Sequence, residues 1–372
     1  MPQLINSWNI LASIILLAAN GQIMRLLTHY ADSPPYGFGL FHTLANGRGQ
    51  RTTALVDTGS DFFFFVWKDW YEAATKRSCS TIAAGCFKCE GPCAPKQPIK
   101  QGEYEDGVKI KVFQHKEKIK VGQTYVNDLV FGLIFDQAPP PTQESPISIL
   151  GLAPDEGDPN FPSLMKQLRA KGFIGSSIFA LYLFPSSLPL LDGGLLLGGG
   201  DPSLHMNPMH FTELRTGDGY YMVKLGTLQV GDAHKTIGIN EDVTLDTGTN
   251  FLYVSKLYYD TVIKDIKAQA NKAARKTVPI TFDSGRDVWT FPCQYLTVMP
   301  PLAFGLSAKG TVPLTMTYMN YARNDEGYCH FIIKKEDDNS WTFPDRMLIG
   351  NYFEFQPDQR RVGIARLAGN RE

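Results

Sequence analysis

The 372-residue sequence has no Asn-x-Ser/Thr acceptor, so N-glycosylation is not expected. It also has no surplus of one charge. Lys and Arg number 36 against 37 Asp and Glu, and a net charge of −1 offers no basic face to a nucleic acid. No Gly-x-Ser-x-Gly element is present, which excludes a serine-hydrolase elbow. The seven histidines are scattered without metal-ligand or protease spacing. Gly198-Gly199-Gly200 is not followed by Lys-Ser/Thr, so it is no phosphate loop; after Leu195-Leu196-Leu197 it reads as a strand ending in a turn. Beyond residue 19 no run is apolar enough to cross a bilayer, and Asn370-Arg371-Glu372 carries no retention or lipid-anchor signal. Nothing implies a cofactor or a bound metal.

The length exceeds one ordinary core and fits two lobes. Gly (34), Pro (24), Phe (23) and Tyr (16) are plentiful, as in a β-rich protein with many turns. Residues 10–19 form an apolar run too short to span a membrane. With Ala19-Asn20-Gly21 behind it, the run predicts a signal peptide over residues 1–21, although no Lys or Arg precedes it. The alternatives are a buried strand or an uncleaved anchor. Six cysteines behind such a segment point to disulfides in an oxidising compartment. Cys79, Cys86, Cys89 and Cys93 are clustered and allow three pairings; zinc is the other option, but their spacing is not a paired C-x-x-C and no neighbouring histidine joins them.

Most of the chain reads as strand: residues 108–122, 125–135, 178–184, 220–230 and 331–334 are rich in β-branched and aromatic side chains. Helices are expected at 161–171, stopped by Gly172, and at 255–276, where Val262, Ile263, Ile266 and Ala270 share a face. Residues 137–146 are Pro-rich and read as an exposed loop.

A pattern occurs twice. Ala54-Leu55-Val56-Asp57-Thr58-Gly59-Ser60 precedes Ile149-Leu150-Gly151, and Val243-Thr244-Leu245-Asp246-Thr247-Gly248-Thr249 precedes Leu348-Ile349-Gly350. Two copies of one unit indicate two similar lobes facing each other. In each copy a buried strand delivers an Asp to its end, the Gly allows a tight turn, and the hydroxyl of Ser60 or Thr249 can donate to the carboxylate. Thr58 and Thr247 are placed to hydrogen-bond across to the opposite loop. If the lobes pack about a pseudo-twofold axis, Asp57 and Asp246 meet. Two adjacent carboxylates share one proton, which suits acid–base activation of water at acidic pH.

On these motifs the sequence resembles the pepsin-like aspartic proteases from about Tyr36 to Arg366. Leu195-Leu196-Leu197-Gly198-Gly199 and Arg361-Val362-Gly363-Ile364-Ala365 add to the likeness. The resemblance implies a mainly β, bilobal double-barrel fold with a central cleft and a few short helices. A short segment at 22–35 would lead into an N-terminal lobe over 36–199 and a C-terminal lobe over 200–372. It implies an endopeptidase that takes polypeptide substrates, is blocked by statine-type inhibitors, and works as a monomer outside the cell or in an acidic vesicle. It also pairs Cys293 with Cys329, and it makes Tyr104 and Gly107 parts of a hairpin flap over the cleft.

The sequence departs from that family in four places. Phe64 stands where a Trp usually holds the flap Tyr, and Trp67 is nearby but out of register. Glu105 replaces a Gly, and Asn351 replaces an Asp expected near the dyad. Residues 22–36 are too short to be a cleft-plugging prosegment, so either no zymogen step is expected or the N-terminus is incomplete. The competing reading is an inactive relative that binds peptides or proteins. Retention of both aspartates and both glycines argues against it, and a structural β protein with accidental motifs does not explain the duplication.

Overall fold

The computed structural model describes residues 22–32, 38–82, 84–104, 106–155, 157–185, 190–215, 219–325 and 327–369. The expected signal peptide and Glu105 lie outside these residues. Strands dominate. The first half contributes β1 (Met24–Asp32), β2 (Phe38–Asn46), β3 (Arg51–Asp57), β4 (Phe63–Val66), β5 (Ile99–Glu103), β6 (Lys109–Val121), β7 (Thr124–Ala138), β8 (Ile149–Gly151), β9 (Phe179–Leu183) and β10 (Leu190–Leu197). These match the strands expected at 108–122, 125–135 and 178–184 to within a few residues. Met24–Asp32, within the short segment expected before the first lobe, is built into the sheet: β1 is antiparallel to both β2 and β10.

All ten strands belong to one thirteen-stranded sheet, which also takes in strands His210–Glu213, Asn351–Gln356 and Arg361–Arg366 of the second half. The join is direct, since Asn351–Gln356 pairs antiparallel with β9 from Tyr352↔Tyr182 to Phe355↔Phe179. The rest of the second half forms a seven-stranded and a four-stranded sheet.

The helices follow from local pattern. Leu164–Ala170 starts where the Ser163 hydroxyl accepts from the Lys166 amide at 3.3 Å, and it buries Leu164 and Leu168. Tyr259–Ala274 buries Val262, Ile263, Ile266 and Ala270, the expected face, though it begins after Tyr258 rather than at Ser255. The helix at Lys68–Thr75 has no such signal in the sequence. It is short and mostly polar, and buries only Tyr71 and Thr75.

The aromatic run 62–65 divides by strand parity. Phe63 and Phe65 enter the main core beside Phe131, at centroid separations of 5.8 and 5.1 Å. Phe62 and Phe64 face the other way, into a second cluster with Ile110, Val112 and Ile149. Each buried phenylalanine contributes about 1.5–3 kcal/mol of hydrophobic stabilisation. Three disulfides add covalent ties: Cys79–Cys86, Cys89–Cys93 and Cys293–Cys329.

Candidate active site

Asp57 ends β3. Leu55, Val56 and Asp57 run parallel to Ile149, Leu150 and Gly151 of β8, so the carboxylate emerges from a strand buried on both sides. The second half repeats the device with different residues. Asp242–Leu245 runs parallel to Ser340–Phe343, and the Asp246 amide donates to the Phe343 carbonyl at 3.0 Å. The counterpart of Ile149-Leu150-Gly151 is therefore the segment at 341–344, not Leu348-Ile349-Gly350 as the sequence repeat suggests. Of the latter, Leu348 ends a short helical turn at Asp345–Leu348, and Ile349 and Gly350 follow it.

The two Asp-Thr-Gly loops are brought together about a local twofold. The Thr58 amide donates to the Thr247 hydroxyl at 3.0 Å, and the Thr247 amide to the Thr58 hydroxyl at 2.9 Å. Each hydroxyl then donates to the opposite strand: Thr58 to the Leu245 carbonyl at 2.8 Å, Thr247 to the Val56 carbonyl at 2.7 Å. Both threonines are fully buried. Each aspartate also accepts from its own loop, Asp57 from the Gly59 amide and Asp246 from the Gly248 amide, both at 2.7 Å. The Ser60 hydroxyl donates to the other Asp57 oxygen at 2.6 Å. Thr249 lines the cavity, and its carbonyl accepts from the Asp345 amide at 3.2 Å.

The glycines show how close the loops come. A Cβ on Gly59 would lie 2.4 Å from Oδ1 of Asp246, and one on Gly248 would lie 2.4 Å from Oδ1 of Asp57. Only glycine fits at such an approach. The two carboxyl groups also hydrogen-bond to each other. Burial pushes the Asp57 carboxyl above the ordinary carboxylate range, while Ser60, the Gly59 amide and Asp246 pull it back.

Two adjoining cavities of about 280 and 400 Å³ open over Asp57, and the larger also contains Asp246. They are covered by the hairpin of β5 and β6. Tyr104 and Gly107 stand at its tip, where the Tyr104 amide donates to the Val108 carbonyl and the Gly107 amide to the Tyr104 carbonyl, each at 2.9 Å. The Tyr104 ring lines both cavities and its buried hydroxyl has no hydrogen-bond partner among the described residues. Burial and the nearby charges of Asp57 and Asp106 raise its pKa, so the hydroxyl stays neutral. Phe64 is beside it in the same cluster and offers no donor. Trp67 cannot substitute. It lies on the other face of the chain from Phe64, packs edge-on against Phe113 at 5.2 Å, and its own Nε1 is buried without a partner among the described residues.

Asn351 is fully buried. Its Nδ2 donates to the carbonyls of Met347 at 2.9 Å and Thr315 at 3.3 Å, and its Oδ1 accepts from Arg366 at 3.5 Å. These bonds tie a strand start rather than a dyad loop. Two cleft residues carry no signal in the sequence. Lys100 sits 4.6 Å above the Phe62 ring at the cavity wall, and Tyr220 reaches the same cavity from the second half. Neither stands in a recognisable motif; only the fold reveals them.

Comparison with known proteins agrees with this geometry. The family model for eukaryotic aspartyl protease matches residues 45–367. Candidapepsin-3 of Candida albicans is 22% identical over 329 residues, 86% of this chain and 76% of that protein. Pepsin B of Canis lupus familiaris is 24% identical over 213 residues, covering 55% and 50%. Renin-2 of Mus musculus is 20% identical over 354 residues, covering 91% and 81%.

Proposed function

The chain belongs to the eukaryotic aspartyl protease family and is an aspartic-type endopeptidase, and we infer that Asp57 and Asp246 are the pair that cleaves its polypeptide substrates. The observation that carries this reading is the reciprocal approach of Gly59 to Asp246 and of Gly248 to Asp57. Two carboxyl groups in contact hold one proton between them. The ionised member takes a proton from a water molecule, and that water attacks the peptide carbonyl carbon. The protonated member donates to the carbonyl oxygen, and a proton is then passed to the leaving amine as the C–N bond breaks. The amides of Gly59 and Gly248 and the Ser60 hydroxyl hold the carboxylates in place. Activity requires a single negative charge on the pair, which favours acidic pH.

A substrate entering the cleft as an extended strand lies under the hairpin tip at Tyr104, with Phe62, Phe64, Ile110 and Ile149 offering an apolar wall. Statine-type compounds should occupy the same place. A secretory route is supported by the three disulfides and by relatives such as secreted aspartic protease 3 of Candida albicans. Among the described residues no helix is long and apolar enough to cross a membrane.

The deciding experiment is cleavage of an unfolded protein between about pH 3 and 7, with and without a statine-type inhibitor. Wild-type protein should cleave best on the acid side and be inhibited. Asp57→Asn and Asp246→Asn should each lose at least about 10³-fold in rate while melting like the wild type. A folded Asp57→Asn protein that cleaves normally would overturn the assignment.

A further inference from the structure

Away from the cleft, one group of side chains is arranged as a ligand set. The Sγ of Cys89, a ring nitrogen of His115 and a carboxylate oxygen of Glu117 all lie within 4.8 Å of one another. Cys93 is joined to Cys89 by a disulfide. His115 and Glu117 are two apart on β6, so both project from one face. Their Nε2 and Oε2 atoms are 2.9 Å apart, and the same oxygen accepts from the Glu90 amide at 3.2 Å. The His115 ring rests against Phe131 at 5.4 Å and Phe87 at 6.1 Å, which fixes its plane.

The second oxygen is the informative one. Glu117 is nine-tenths buried, and among the described residues its Oε1 has no hydrogen-bond partner. A buried carboxylate oxygen left without a partner is costly, and the neighbouring disulfide has no proton to donate. The same bridge has the least to do as a staple. Its cysteines are 4 residues apart, against 7 and 36 in the other two bridges, so it removes the least entropy from the unfolded chain. None of the four residues lines the cavities over the aspartates.

We propose that Cys89, Cys93, His115 and Glu117 form a redox-gated zinc(II) site, closed by the disulfide when oxidised and able to take the ion when reduced. Two equivalents of a small thiol break the Cys89–Cys93 bond, giving two protein thiols and one disulfide of the reductant. Zinc then displaces both thiol protons to water. Two thiolates, an imidazole and a carboxylate are donors that zinc accepts in a tetrahedron. In such a tetrahedron the ligand atoms stand about 3.3–3.8 Å apart, so shifts of about 1 Å or less in the donor spacings bring the group to that geometry. Oε1 of Glu117 gains the cation it lacks. The site also lies at the base of the covering hairpin: Cys93 shortly precedes β5, and His115 and Glu117 are on β6.

The test uses the full chain carrying Cys79→Ser and Cys86→Ser, reduced with excess thiol and desalted. Zinc is titrated against a chromophoric chelator, and cobalt is followed by absorption. About one equivalent of zinc and a tetrahedral thiolate–cobalt spectrum are expected, with Cys89 and Cys93 protected from alkylation. The oxidised protein, and reduced proteins with His115→Ala or Glu117→Gln, should bind about ten-fold more weakly or worse. If the double serine variant does not fold, Cys89→Ser/Cys93→Ser in the otherwise native chain replaces it and should abolish the reduction-dependent uptake. Uptake unchanged by His115→Ala and Glu117→Gln, or no uptake after reduction, overturns the proposal.

Discussion

Thr58 and Thr247 hold each other's backbone. Each amide is capped by the other's hydroxyl, at 3.0 and 2.9 Å, and each hydroxyl passes its own proton to the opposite strand. The four bonds are the polar seam between the halves directly beneath the aspartates. Replacing either residue by valine keeps the volume but orphans an amide and a carbonyl in a dry site. The expected cost is about 2–4 kcal/mol, with a larger fractional loss of cleavage than of folded protein. Denaturant melts together with turnover check this; a valine variant as stable as wild type would mean that the seam is dispensable.

Gly59 and Gly248 face the carboxylates across the same seam. Alanine at either position puts a methyl group 2.4 Å from an oxygen that cannot move away without breaking its own loop. The expected destabilisation is about 1–3 kcal/mol, and cleavage should fall below detection even where the fold survives. Retained activity in Gly248→Ala would show that the two loops do not need to approach this closely.

The pH dependence of stability carries its own sign. Burial raises the folded pKa of Asp57 above its ordinary value of 3.8. The folded state thus holds this proton more tightly than the unfolded chain does. The contribution to stability is complete below the unfolded value and is lost as pH rises through the folded one. Asp57→Asn removes that dependence, so its melting temperature should gain on the wild type's between about pH 4 and 7. Parallel melting curves across this range would contradict the burial-driven shift.

Tyr104 lends itself to a two-part comparison. Its hydroxyl is buried and unpartnered among the described residues. Tyr104→Phe should therefore leave the melting temperature unchanged or slightly higher, because no bond is lost. Tyr104→Ala should lower turnover more than stability, as expected of a ring that covers the cleft. A drop of about 4 °C or more in the phenylalanine variant would reveal a partner for the hydroxyl.

The duplicated Asp-Thr-Gly pattern makes the aspartates, their glycines and the threonine cross-bonds legible in the sequence, because one short motif carries strand, turn and carboxylate together. The hairpin at Tyr104 is legible only through the family resemblance. What supports Asp246 from below is not. Ser340–Phe343 lies some ninety residues away, shares no motif with Ile149-Leu150-Gly151, and finds its place only through parallel pairing. The aromatic run 62–65 is ambiguous for a related reason: it serves core and cleft at once, and its parity is visible only with β4 placed between β7 and β8. The pairings within the cysteine cluster, and the arrival of His115 beside Cys89, depend on the path of the chain rather than on spacing.

The thirteen-stranded sheet has a bearing on when this molecule becomes dangerous to its surroundings. Of its last strands, Asn351–Gln356 pairs with β9 and Arg361–Arg366 pairs with Asn351–Gln356, and the loop around Asp246 is propped by Phe343 and Asp345. A ribosome that has released both aspartates into the open has made the support of Asp57 but not yet that of Asp246. A chain truncated before about residue 340 keeps Asp57 and Asp246 but lacks the strand that pairs beside Asp246, and is expected not to cleave. The order of the strands thus sets a point in the chain, near residue 340, before which the two loops are not both supported.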